Sequence, residues 1–285
     1  MKYRTLGKTK YRVSEIGLGT SYLHLVDESE VRALLNLSSS AGITLYDTGN
    51  SYGHGLAEKY LGNFLTTSQS NVVITKIDVG FARKDIHKEL LMNEFDKAIK
   101  DSQQRLKMDT LDILLLHKPP CSNQDFMWIS KFMERAKNNG IIAFWGISIT
   151  TYDELYPFIE NIGDLDVVET PYNMLFQDPR LTIFDTLRKE NIGVIANSVL
   201  QGGILSGKSY QQLSSLAKST HNLSFEMYSE VLDTLKDRND YATNSGSLLR
   251  CAIKFTLDNL YVHSALIGTS SAEHLKECIN GYQEI

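Results

Sequence analysis

Among the residues of this 285-residue chain whose types can move a proton on and off an oxygen, four stand where they could act together: Asp47 and Tyr52 in LYDTGNSYGHG, Lys76 in VVITKI, and His117 in DILLLHK. A tyrosine has an ordinary pKa near 10, so giving its proton to a substrate oxygen at neutral pH needs a neighbour that stabilises the anion. A lysine ammonium within a few ångströms does that. An aspartate paired with the lysine keeps it charged and oriented, and a histidine within reach of the same oxygen polarises a carbonyl. None of the four supplies hydride, so carbonyl reduction by this set implies a nicotinamide cofactor. Singly, each has a plain reading: turn chemistry for Asp47, packing for Tyr52, a strand-end lysine reaching water for Lys76, and a satisfied loop histidine for His117. Their positions along the chain make them a set.

Those positions are the ends of strands. Eight short apolar runs recur: EIGLG (15–19), TLYDT (44–48), VVITKI (72–77), DILLLHK (112–118), FWGIS (144–148), VVETPYN (167–173), GVIANSVL (193–200) and ALIGTS (265–270). Between them lie segments whose apolar residues return every three or four positions, among them ESEVRALLNLSSS, DIHKELLMNEFDKAIKDSQQRLK, ISKFMERAKNN, LTIFDTLRKEN and GSLLRCAIKFTLDN. Near-continuous apolar strands suit a parallel sheet buried on both faces, and eight strand–helix units in a chain of this length predict a single-domain (β/α)8 TIM barrel over 1–285. In that fold, chemistry collects at the C-terminal mouths of the strands, where Asp47, Tyr52, Lys76 and His117 would meet. A doubly wound open sheet is the runner-up, but GLGTSY (17–22) has only two of the three glycines of its phosphate loop. The polar stretch 206–247 is expected to be an elaborated loop after the seventh strand, carrying a further helix.

Composition narrows the partners. A net charge of −5 gives no basic field for nucleic acid or anionic lipid, so a small-molecule partner is expected. No segment approaches the roughly 18 apolar residues of a membrane span. Three scattered cysteines, Cys121, Cys251 and Cys278, form neither a disulfide framework nor a zinc pattern, which fits a reducing cytoplasm. The seven histidines contain no HxH or HExxH pair, so a metal-dependent barrel hydrolase is set aside.

Over nearly its full length the chain resembles the aldo-keto reductases. The resemblance is carried by the opening MKYRTLGKTKYRVSEIGLGT, by Asp47-Thr48-Gly49-Asn50-Ser51-Tyr52-Gly53, by ITK with Lys76 and by LLLH with His117. It implies Tyr52 as general acid/base, Lys76 and Asp47 as its tuners, His117 as the residue that orients the carbonyl, and NADP(H) as the preferred cofactor, with NAD(H) the other candidate.

For the cofactor it implies Gly19 and Thr20 at the first mouth, and Ser148 and Glu169 at the carboxamide. Glu169 stands where the family usually has glutamine, and Ile149 where it has asparagine. Asn197 replaces the residue that usually lies under the nicotinamide ring, while Ser198, Leu200 and Gly202 match the loop under the pyrophosphate. Gly268, Thr269, Ser270, His274, Glu277 and Cys278 lie on the turn for the adenosine half, and Ser270 to Glu273 has capping-box spacing. The usual cationic fork for a 2′-phosphate is missing there, so a protonated His274 is the expected substitute, with KM for NADPH rising above pH 7. The expected activity is reduction of an aldehyde or ketone, sugars and keto-sugars included, in a mouth open enough for a bulky substrate. The alternative is a cofactor-binding sensor or accessory subunit with little turnover.

Overall fold

The computed structural model describes residues 1–65, 70–78, 88–120, 122–177, 183–209 and 248–285, together with 211–212, 229–230 and 233. Most of the 206–247 excursion, with its expected helix, and Cys121 lie outside the described residues.

The chain opens with an antiparallel hairpin of β1 (Tyr3–Thr5) and β2 (Arg12–Ser14). Then follow β3 (Ile16–Gly19), β4 (Leu45–Asp47), β5 (Val72–Ile77), β6 (Leu111–Leu116), β7 (Ile142–Ser148), β8 (Val167–Pro171), β9 (Gly193–Asn197) and β10 (Ser264–Gly268). These eight are parallel to their neighbours and close into a barrel, with β10 paired to both β9 and β3. The expected (β/α)8 barrel is the observed fold.

Helices α1 (Glu28–Ser40), α2 (Leu56–Phe64), α3 (Lys88–Leu106), α4 (Asn123–Asn138), α5 (Phe184–Lys189), α6 (Leu248–Asp258) and α7 (Ala272–Gln283) lie outside the strands. Asp27 caps α1 by accepting from the Glu30 amide, and Ser122 caps α4 by accepting from that of Asp125. After β7 the chain forms a 3-10 run, Tyr152–Asp164, in place of an α-helix. Pro157 within it cannot donate to a continuing ladder, and Phe158 leaves helical geometry (φ −136°).

The barrel interior shows why the site is where it is. Its apolar filling is Leu45, Val72, Ile74, Ile113, Leu115, Val167, Ile195 and Leu266, plugged at the N-terminal end by Leu6 and Val13 of the hairpin. A strand repeats its inward face every second residue. Stepping on from that layer along β4, β5, β6, β8 and β9 gives Asp47, Lys76, His117, Glu169 and Asn197. One polar ring therefore sits directly above one apolar layer.

Residues of the hairpin and its exit also tie the first strands to the last elements of the barrel. Arg4 donates to Glu15 (2.7 Å) and to the carbonyls of Val262 (2.6 Å) and Leu257 (2.7 Å), while the Tyr282 hydroxyl on α7 donates to the other Glu15 oxygen (2.8 Å).

Candidate active site

Lys76 is a fully buried ammonium, 1% exposed, and such a charge is tolerable only when paired. It donates to Asp47, lies 3.3 Å from the Tyr52 hydroxyl and 3.4 Å from the Thr48 carbonyl, and has Glu169 Oε2 at 3.2 Å. No directed hydrogen bond from Lys76 reaches Glu169 Oε2 among the described residues, so charge holds that contact. The second Glu169 oxygen accepts from Asn197 Nδ2 (2.8 Å) and faces Ser148 Oγ (3.4 Å). Three of the four expected catalytic groups thus touch around one nitrogen. The fourth, His117, meets the Tyr52 ring edge-on with centroids 5.9 Å apart, its Nδ1 3.5 Å from Ser51 Oγ.

Local backbone sets these positions. The Thr48 amide donates to the Ile74 carbonyl (2.8 Å) and that of Asn50 to the Lys76 carbonyl (2.9 Å), carrying the β4–β5 ladder past the strand end. The loop then turns through Gly53 (φ +58°) and Gly55 (φ +86°) into α2. At Gly53 an added Cβ would lie 2.3 Å from Cβ of His24, so a larger residue would push the Tyr52 turn outward. Across the mouth, a Cβ on Gly146 would lie 1.8 Å from the Val167 carbonyl oxygen. The bare glycine lets β7 and β8 approach, in a register that pairs Ser148 with Glu169.

The electrostatics depart from expectation at Tyr52. Burial pushes the phenol up; Lys76 pulls it down, Asp47 and Glu169 push it up again, and the result is about 12. A lysine that steadies the anion is present, but two carboxylates share it. Burial and then Glu169 push the Asp47 carboxyl up from its ordinary value, while the charge and hydrogen bond of Lys76 pull it down. For Lys76, burial alone would lower the ammonium, but Asp47, Glu169 and Tyr52 outweigh it and hold it well above the ordinary value. His117 is lowered by burial and by Lys76, so its ring is neutral at pH 7.

The residues expected at the cofactor form two groups. Near the nicotinamide end, Ser148, Glu169 and Asn197 make one hydrogen-bonded chain, while Ile149 is buried in the apolar core. Asn197 Oδ1 is buried and has no partner among the described residues. It is an acceptor that a carboxamide NH2 fits. Gly19 pairs with Asp47 and with Gly268 in the barrel register, and the Thr20 hydroxyl donates to the Asp47 carbonyl (2.9 Å), which commits it to holding the β3 exit against β4.

After β9 the backbone is left-handed at Ser198 (φ 54°), Gln201 (45°), Gly202 (62°) and Gly203 (97°), with Leu200 at the head of a 3-10 run, Gln201–Ser206. Asn173, a residue with no expected role, pins this coil: it donates to the Ser198 carbonyl and to Gln201 Oε1, both at 2.9 Å, and accepts from the Leu175 and Phe176 amides. Its place in VVETPYN, just past a strand mouth, was the available signal.

At the last turn, Thr269 and Ser270 lead into α7. The cap is Ser271, which accepts from the His274 amide (3.3 Å), so the Ser270–Glu273 capping box is one residue out of register. Cys278 faces the apolar core, where burial and then Glu277 push its thiol up to about 12. His274 is lowered by burial and then by Lys208, against Glu277 and Glu273, so without a bound anion its ring favours the neutral form. A cation at this end is Lys208, 3.4 Å from Glu277.

Comparison with known proteins agrees with this fold. The sequence profile of the Aldo/keto reductase family matches residues 15–284. The fold is similar to that of the holo aldo-keto reductase AKR11C1 from Bacillus halodurans, with a TM-score of 0.79 and 22% identity over 99% of this chain and 90% of that one. It is also similar to the glycerol dehydrogenase AKR11B4 from Gluconobacter oxydans (0.71, 20% identity, 99% and 90% covered). A third similar structure is an aldo-keto reductase from Klebsiella pneumoniae in complex with NADPH (0.69, 18%, 98% and 89%). With the family profile spanning the barrel and the fold repeated in these structures, the chain belongs to the aldo/keto reductases, NAD(P)H-dependent oxidoreductases that act on small carbonyl compounds.

Proposed function

We propose that the chain reduces an aldehyde or ketone, sugars and keto-sugars included, to the alcohol, with Tyr52 as the proton donor. The observation that carries this is the buried Lys76 ammonium, bonded to Asp47 and 3.3 Å from the Tyr52 hydroxyl. When bound, the reduced nicotinamide supplies the hydride. The Tyr52 O–H breaks as the new alcohol O–H forms, and Lys76 stabilises the phenolate left behind. In the neutral tautomer whose Nδ1 accepts from Ser51, the Nε2–H of His117 would hydrogen-bond the carbonyl oxygen and fix its approach.

Ser148 and Asn197 would hold the carboxamide, and Gly19 and Thr20 the neighbouring mouth. Ser198, Leu200 and Gly202 would run under the pyrophosphate. Gly268, Thr269, Ser270, His274 and Glu277 would line the adenosine half, with Lys208 as counter-charge. NADP(H) is the preferred cofactor in this reading, because Lys208 offers a 2′-phosphate one cation; Glu277 beside it keeps NAD(H) as the second candidate. The working compartment proposed is the cytoplasm, which three scattered cysteines without a disulfide pattern fit; no helix among the described residues is long and apolar enough to cross a membrane.

The test is loss of nicotinamide absorbance with a panel of aldehydes and ketones from small to bulky. Tyr52→Phe should lower kcat by roughly 10²- to 10⁴-fold, the usual range for a lost proton donor, while nucleotide binding persists. Full activity in Tyr52→Phe removes the assignment. Nucleotide binding with no turnover of any carbonyl makes the chain a cofactor-binding sensor instead.

A further inference from the structure

Glu169 holds the place expected of a carboxamide ligand, yet its oxygens are engaged otherwise. Oε1 takes the Asn197 amide (2.8 Å) and faces the Ser148 hydroxyl (3.4 Å), and Oε2 lies 3.2 Å from Lys76. Its side chain is 4% exposed, so water screens little of its charge. Lys76 therefore serves two carboxylates, from β4 and β8 on different sides of the barrel mouth, and the phenol between them feels less of its positive charge. Among the described residues, the titratable groups facing Tyr52 are Lys76, Asp47, Glu169 and His117; Asp78 and Lys118 act further out, on His117.

We infer that Glu169 is a positioning residue for the Tyr52 reaction: as second counter-ion of Lys76 it keeps the proton on the phenol and sets the site to give protons rather than take them. The inference rests on the reading of Tyr52 as general acid. In reduction, Tyr52 must start protonated. In alcohol oxidation the phenolate must accept the alcohol proton, and Glu169 makes that phenolate rare at neutral pH. Geometry carries the argument, and the high titration of Tyr52 agrees with it.

Glu169→Gln keeps the shape and the acceptor for Asn197 but removes the charge; Glu169→Asp keeps the charge. The first measurement is tyrosinate absorption against pH in the nucleotide-free protein, with the Tyr52→Phe trace subtracted so that only Tyr52 remains. Tyr52 in Glu169→Gln should titrate lower by roughly one pH unit, and Glu169→Asp should restore the original curve. The second is oxidation of para-nitrobenzyl alcohol and reduction of para-nitrobenzaldehyde, each across pH, with the nucleotide that binds more tightly. In Glu169→Gln the alkaline limb of oxidation should move down by the same amount, raising oxidation at neutral pH several-fold. Nucleotide Kd should change little.

Unmoved Tyr52 titration in a folded Glu169→Gln protein overturns the inference. So does a variant whose only defect is weaker nucleotide binding, because Glu169 is then a cofactor ligand. If Tyr52→Phe keeps full activity, the general-acid reading itself fails, an outcome distinct from both.

Discussion

At the level of single residues, what one ammonium can do for a phenol depends on how many anions share it. Lys76 has two, and that arrangement was only partly visible in the sequence. Asp47, Tyr52, Lys76 and His117 were legible because each ends or follows an apolar run and their types complete one another chemically. Glu169 was legible as a mouth residue two steps beyond Val167 but not as a partner of Lys76, because no spacing rule relates β5 to a strand across the barrel. The adenosine end behaves likewise. His274 is desolvated and Lys208 comes from another loop, so the charge there is set by tertiary contact. Lys208→Ala should raise the Kd for NADPH by roughly ten- to a hundredfold, the worth of a charged hydrogen bond, and leave that for NADH nearly unchanged. With Lys208 as the counter-charge, NADPH binding should change little as pH rises through 7, and marked weakening there would make a protonated His274 the clamp instead. Fluorescence quenching titrations check both.

At the level of elements, the strands were the legible part, because burial on both faces leaves continuous apolar runs. The elements left unread are those whose signal is too short or whose period is wrong. Strands β1 and β2 are three residues each, helix α2 follows directly on a glycine-rich loop, and the 3-10 run after β7 lacks the α period. One strand junction carries a prediction. The Val194 amide donates to His263 Nδ1 (2.9 Å) and the His263 amide to the Val194 carbonyl (2.8 Å), joining β9 to the approach to β10. Protonating that nitrogen would set one N–H against another. Burial, with Arg4 adding to it, holds His263 at about 4, down from 6.5. A histidine lowered on folding contributes nothing above its unfolded value and costs stability as pH falls below it, because the unfolded chain then binds the extra proton. Stability should therefore decline between pH 6.5 and about 4 by about 3 kcal/mol on this account alone. Denaturant unfolding across that range should show a shallower decline in His263→Gln.

At the level of the whole molecule, the barrel separates chemistry from stability along its axis, with the polar ring at the C-terminal mouth and the hairpin plug at the other end. Leu6 is fully buried in that plug, and an added Cβ at Gly193, which begins β9, would lie 2.6 Å from its side chain. Leu6→Ala should cost about 2–5 kcal/mol, read as a lower denaturant midpoint, with kcat for the folded protein unchanged. A comparable loss of kcat would mean that the two ends of the barrel are coupled.

Closure of the seam between β3 and β10 has a consequence for synthesis. Arg4 and Glu15 reach partners at Val262 and Tyr282, so the first strand of the barrel has no neighbour on one side until β10 has left the ribosome. The half-built sheet emerges with two open edges and a row of inward-facing aliphatic side chains. Such an intermediate exposes apolar surface and unpaired strands, and it is the stage of this protein's life at which a chaperone has something to hold.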